Sequence, residues 1–98
     1  MEFGGFDWDD GNRTKCWKHG VAAEVIEGLF RGGLTVMPDE AHSREEQRFR
    51  AIGRDGKGRA IFIVFTLRRR RDALLIRPIS ARYMHKKEVE HYEKSSET

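Results

Sequence analysis

Glu46-Gln47-Arg48-Phe49-Arg50-Ala51-Ile52-Gly53-Arg54-Asp55-Gly56-Lys57-Gly58-Arg59-Ala60-Ile61-Phe62-Ile63-Val64-Phe65-Thr66-Leu67 decides the fold. From Glu46 to Arg54 the chain alternates, with Phe49 and Ala51 on one side and Arg48 and Arg50 on the other, the period of a half-buried strand. Asp55-Gly56-Lys57-Gly58 supplies a hairpin turn. Ile61 to Leu67 is apolar on both faces, as a strand covered on both sides or paired deep in a sheet requires. Downstream, Arg68 to Asp72 reads as the next turn, Leu74 to Arg82 as the returning strand, and Lys86 to Lys94 as a charged last helix. Upstream, Phe6-Asp7-Trp8 reads as a short strand or lead-in, with Asp9 or Asp10 capping a polar helix that runs to about Lys18 and stops before Gly20. Val21, Ala22, Val25, Ile26 and Leu29 recur at helical spacing, and that helix ends at Arg31-Gly32-Gly33. Leu34 to Met37 suits a strand ended by Pro38-Asp39. The expected architecture is α+β: an antiparallel sheet of about four strands, with two N-terminal helices and one C-terminal helix.

Ninety-eight residues make one domain, expected over 1–98, with little room for a second core. Hydrophobic residues, 38% of the chain, fall in runs, which argues for a folded protein over a disordered one. The longest apolar run, Ala60 to Leu67, is too short to cross a bilayer. Met1 to Asp10 is acidic and aromatic rather than charged and then apolar, so the reading is cytoplasmic with no membrane partner. Cys16 stands alone, which excludes a disulfide framework and a cysteine-based zinc site. The net charge of +3 conceals an uneven distribution. Residues 1–43 carry four basic and eight acidic side chains, whereas residues 44–82 carry twelve basic and four acidic ones. Thirteen of the nineteen basic residues are arginine, which suits forked contacts to phosphate. A basic surface that serves only solubility is the competing explanation.

Phe6-Asp7-Trp8-Asp9, Asn12, Lys18-His19-Gly20-Val21, Glu46-Gln47-Arg48-Phe49 with Ala51-Ile52-Gly53, and Ile79-Ser80-Ala81-Arg82 stand in an order that resembles the BrnT toxins, over roughly residues 6 to 93. The resemblance implies a fold similar to the RelE-like toxins and cleavage of RNA that arrests translation, on messenger RNA and with or without the ribosome. It also implies a BrnA-type antitoxin, a ribbon-helix-helix protein that blocks the toxin and represses their shared operon, so that DNA enters only through the antitoxin. The chain departs from the usual pattern at the basic run Arg68 to Arg71 and at Tyr83-Met84-His85, where a small or basic run is expected.

A metal-independent ribonuclease of this kind helps a 2′-hydroxyl attack its own phosphate, which calls for cations around the phosphorus and a group that moves a proton. No cofactor is expected. Arg77 and Arg82 are the first candidates, Arg82 because it lies in the family motif. Their odd separation places them on opposite faces of an uninterrupted strand, unless Pro78 or a bulge beside it changes the alternation. Arg82 has an alternative role as a salt-bridge partner of Glu88. Arg48, in a family motif, and Arg50 share a strand face and are expected to line an RNA groove or to be solvated. Lys18 and His19 sit at a helix end, where His19 either moves a proton or caps carbonyl groups. His85 is the other histidine considered for proton transfer, and Glu46 is a possible base or an arginine partner. Arg68, Arg69, Arg70 and Arg71 are expected at a solvated hairpin tip, with a secondary grip on the RNA backbone.

Three other motifs fail. Gly56-Lys57 lacks the hydroxyl residue and spacing of a phosphate loop, and His85 and His91 are six apart, off one helical face. Phe62 and Phe65 lie in the apolar strand and are expected to pack rather than to stack on bases. Charge and composition also fit a second class of function, a non-catalytic basic module that binds RNA or protein, such as a decayed toxin. The acidic N-terminal half with Trp8 and Trp17 is a candidate antitoxin surface.

Overall fold

The computed structural model describes residues 3–96; residues 1–2 and 97–98, at the ends of the expected domain, lie outside the described residues. The elements are β1 (Gly5–Phe6), α1 (Asp10–Trp17), α2 (Ala23–Gly32), β2 (Thr35–Pro38), a 3-10 turn (Glu40–His42), β3 (Arg48–Arg54), β4 (Ala60–Arg70), β5 (Ala73–Tyr83) and α3 (Lys86–Ser96). They build an α+β molecule on a sheet ordered β1-β5-β4-β3-β2. β4 is flanked on both sides, as its doubly apolar pattern requires.

The sheet differs from the expected one: it has five strands and is mixed, because β1 runs parallel to β5. The lead-in pairs because β5 would otherwise present an open edge. Gly4 donates its N–H to the Leu74 carbonyl and Asp7 donates to that of Ile76. Gly4 permits the approach, since a Cβ there would sit 2.8 Å from that of Ala73. The second difference is at the basic run. Arg68, Arg69 and Arg70 continue β4, paired to Leu75, Leu74 and Ala73, so the turn shrinks to Arg71-Asp72. Ion pairs hold the extension: Arg68 meets Glu46 at 3.2 Å and Arg70 meets Asp7 at 3.3 Å. The turn between β3 and β4 is as expected, with the Asp55 carboxylate accepting from the N–H groups of Lys57 and Arg59.

One face of the sheet carries the core. Ala51, Ile61, Ile63, Phe65, Ile76 and Ala81 meet Ile26 and Leu29 of α2, with Val21 and Cys16 beside them. Phe30 stands edge-on to Phe6 and Phe65, at 5.7 and 5.0 Å between ring centroids. Burial pushes the Cys16 thiol above its ordinary pKa, which marks it as a packing residue. Asp9 caps α1 as expected, in a reciprocal pair: its carboxylate accepts the Asn12 N–H while its own N–H donates to the Asn12 Oδ1. Among the described residues no helix is long and apolar enough to cross a membrane.

Candidate active site

The second face of the sheet is where the arginines gather, and an irregularity in β5 puts them there. Val64 pairs with Ser80 but Phe65 pairs with Pro78, which leaves Ile79 as an extra residue. Phe62, Val64 and Thr66 on β4 therefore face Arg82, Ser80 and Arg77 on β5, and cross-strand partners share a face. The five-residue separation of Arg77 and Arg82 becomes an even one. The same face takes Arg48 and Arg50 from β3, whose partners are Thr66 and Val64. Pro78 fits because its ring lies in the bulged stretch and its carbonyl accepts from the Asn12 Nδ2 at 2.8 Å.

An open cleft of about 310 Å³ lies on this face, floored by Phe62, Val64, Ile79 and Ser80 and rimmed by Lys15, Asp39, His42, Arg48 and Arg50. A second hollow of about 510 Å³ shares His42 and Arg48 with it and continues past Ala41, Arg44, Glu45 and Glu46. The two hollows flank His42 and Arg48 and together form a groove. Among the described residues, Lys15, Arg48 and Arg50 make no side-chain hydrogen bond or ion pair, so the cleft holds three unpaired cations beside the Asp39 carboxylate and its charge is net positive. Asp39 is buried and turned to His42, whose Nδ1 lies 3.1 and 3.0 Å from its two carboxylate oxygens. Such a site suits a phosphodiester: cations for its non-bridging oxygens, an apolar floor for a base or ribose, and an imidazole at the rim.

The sequence-predicted residues distribute themselves around this cleft. Arg48 and Arg50 line it. Arg77 and Arg82 share the face but not the lining, because acidic neighbours draw them to opposite ends. Arg77 donates to Asp9 at 2.8 Å and lies 3.5 Å from Asp7. The Asn12 amide, and after it Arg77, hold Asp9 below the usual carboxylate range. Arg82 makes a two-pronged bond to Glu88, both distances 2.8 Å, with its guanidinium 5.1 Å above the Phe62 ring. Phe62 thus faces the arginines rather than the core, while Phe65 packs as expected.

Lys18 and His19 are exposed at the end of α1 and are not among the cleft's lining residues. His85 is exposed before α3, its N–H donating to Glu88. Glu46 holds Arg68, and Arg70 is tied to Asp7, while Arg69 and Arg71 are exposed at the hairpin end. Trp17 is 65% exposed, whereas Trp8 is partly buried and donates to Glu27. Sequence reasoning missed Lys15, Asp39 and His42. The available signals were the Asp-x-x-His spacing after Pro38 and the position of Lys15 three residues before Lys18.

The Arg82 pair makes one acid-sensitive contact. The Arg82 fork, and after it the His85 amide, lower Glu88 from an ordinary 4.5 to about 2. Because the folded value lies below the unfolded one, the contact stabilises the fold above the unfolded value and is lost as pH falls through about 2. Glu88→Gln should therefore lower the urea midpoint slightly at neutral pH, with the deficit vanishing on approach to pH 2. A deficit that stays constant with pH would refute the assignment. Solvent screening keeps the effect small, since both side chains are more than a third exposed.

No curated protein matches the chain. The family model for the ribonuclease toxin BrnT, of type II toxin-antitoxin systems, matches residues 8–88, which takes in every residue that lines the cleft. With a match over most of its length, the chain belongs to the BrnT family of ribonuclease toxins.

Proposed function

We propose that the protein is a metal-independent endoribonuclease that cleaves RNA in the cleft through attack of the 2′-hydroxyl on the adjacent phosphate. The observation that carries this reading is the contrast among the arginines of one sheet face. Arg77, Arg82, Arg68 and Arg70 have carboxylate partners, while Arg48 and Arg50 converge with Lys15 on one cleft without any among the described residues. Uncompensated cations side by side supply the charge stabilisation that a metal supplies elsewhere. Asp39, the carboxylate in the lining among the described residues, is engaged by His42. Arg82 and Arg77, at the two ends of the face, extend the contact to flanking phosphates, and Arg68 to Arg71 with Lys18 and His19 add attraction to the RNA backbone.

The same reading makes the protein a single toxin domain over 1–98, similar in fold to the RelE-like toxins and acting in the cytoplasm. Cleavage of messenger RNA, free or on the ribosome, inhibits translation. A BrnA-type antitoxin neutralises it by laying acidic side chains over Arg48 and Arg50, and DNA is touched only by that antitoxin. The capture of Arg82 by Glu88 favours a second reading, a non-catalytic basic module that holds RNA.

Incubation of a labelled RNA with the purified protein in EDTA decides between them. The expected result is cutting that survives EDTA and leaves 2′,3′-cyclic or 3′-phosphate ends. Binding without cutting, also after ribosomes are added, would establish the binding module instead.

A further inference from the structure

We infer that His42, oriented by Asp39, is the proton acceptor of the cleavage step, an assignment that rests on the nuclease reading above. Three observations carry it. First, of the histidines weighed for proton transfer, His19 and His85 lie outside the cleft lining, while His42 lines both hollows of the groove. Second, its Nδ1 faces both oxygens of Asp39, at 3.1 and 3.0 Å. A carboxylate at that nitrogen keeps the proton on Nδ1, leaves the Nε2 lone pair free and stabilises the imidazolium that forms. Third, the turn that carries the pair is bolted to the strand that carries the arginines. The Asp39 N–H donates to the Arg48 carbonyl at 2.8 Å. The Ser43 hydroxyl donates to the Asp39 carbonyl at 2.6 Å and accepts the Arg48 N–H at 2.9 Å. These bonds carry the β2–β3 ladder one step beyond the Pro38–Phe49 pair and so hold the turn with His42 beside the end of β3 that bears Arg48.

The charged groups around the imidazole are Lys15 from α1, Asp39 from its own turn, Arg48 and Arg50 from β3, and Arg44, Glu45 and Glu46 from the intervening loop. Asp39 is thus the carboxylate hydrogen-bonded to the ring, and the cations stand where the phosphate goes. In the step, His42 Nε2 takes the ribose 2′-hydroxyl proton as the 2′-oxygen bonds to phosphorus. The bond from phosphorus to the 5′-oxygen breaks, and its electron pair stays on that oxygen, which takes a proton from water. The resulting hydroxide removes the proton from His42. The products are a 2′,3′-cyclic phosphate and a 5′-hydroxyl end. Asp39 and Ser43 are positioning residues.

The test is the pH–rate profile of wild-type protein, His42→Ala and Asp39→Asn on a labelled RNA without metal. The His42 side chain is 70% exposed, but its loss leaves the buried Asp39 carboxylate without the imidazole, so rates are compared at matched foldedness, checked by the urea midpoint of each variant. The expected outcome is a loss of about 100- to 10,000-fold in kcat for His42→Ala, with KM nearly unchanged and the acidic limb of the profile abolished. Asp39→Asn should lower kcat with KM held, and added imidazole should partly restore His42→Ala. Activity of His42→Ala within threefold of wild type, or an acidic limb that survives the substitution, would overturn the inference while leaving the nuclease reading intact. Wild-type protein that binds RNA and does not cut it, also after ribosomes are added, would overturn both.

Discussion

Arg48→Ala is expected to slow RNA cleavage by about 100- to 1,000-fold, the loss that follows removal of one donor aimed at charge developing in a transition state. Arg48 lies where the two hollows of the groove meet, and its backbone is tied to Asp39 and Ser43. Among the described residues its guanidinium has no carboxylate partner to leave before it can bind a phosphate, in contrast to those of Arg77 and Arg82. Arg82→Ala should therefore cost less in the chemical step than Arg48→Ala and more in stability, since it frees Glu88 and bares the Phe62 ring. Arg48→Lys should recover only part of the loss, because an ammonium lacks the planar fork. Single-turnover cleavage with the three variants at matched foldedness measures the ranking. Arg82→Ala proving inert with Arg48→Ala fully active would reverse it and place the reacting phosphate at the α3 end of the face.

Asn12→Ala is expected to destabilise the fold by about 3 kcal/mol, from several hydrogen bonds worth about 1 kcal/mol each and the desolvation of the groups left behind. Asn12 is only 6% exposed. Its Nδ2 donates to the Asp7 and Pro78 carbonyls at 3.0 and 2.8 Å, and its Oδ1 accepts the Asp9 N–H at 2.7 Å. One side chain thus fastens β1, the start of α1 and the irregular stretch of β5. Asn12→Asp, nearly identical in shape, should cost at least as much, because a carboxylate would face two carbonyl oxygens with no proton to donate. Urea unfolding of both variants measures this. An Asn12→Asp variant as stable as wild type would show that the β5 irregularity does not depend on this side chain. Since α1 also carries Lys15 to the cleft, activity should fall with stability in both variants.

The elements made by local pattern were legible. The alternation around Phe49 and Ala51, the turn at Asp55, the doubly apolar β4, the Asp9 cap and the spacing of Ile26 and Leu29 each state their structure within a few residues. The parallel strand at Gly5–Phe6 was legible only as a lead-in, because two residues carry no period and their partner lies seventy positions away. Arg68 to Arg70 read as a turn because adjacent like charges suggest solvent. Only the approach of Glu46 and Asp7 makes them a strand.

The site divides the same way. Sequence alone determined that a basic, arginine-rich sheet segment exists, that Arg48 and Arg50 share a face, and that the motifs are those of a ribonuclease toxin family. Tertiary structure alone decided which of the arginines are held by carboxylates, since pairing with Glu88, Asp9, Glu46 or Asp7 depends on elements distant along the chain. It also decided that Arg77 and Arg82 share a face, through one extra residue at Ile79, and that a histidine outside the recognised motifs reaches the cleft. The physical reason is range. Side-chain periodicity and capping act over three or four residues and are written in order along the chain. Charge compensation and convergence on a cleft act through space, between residues that only the fold makes neighbours.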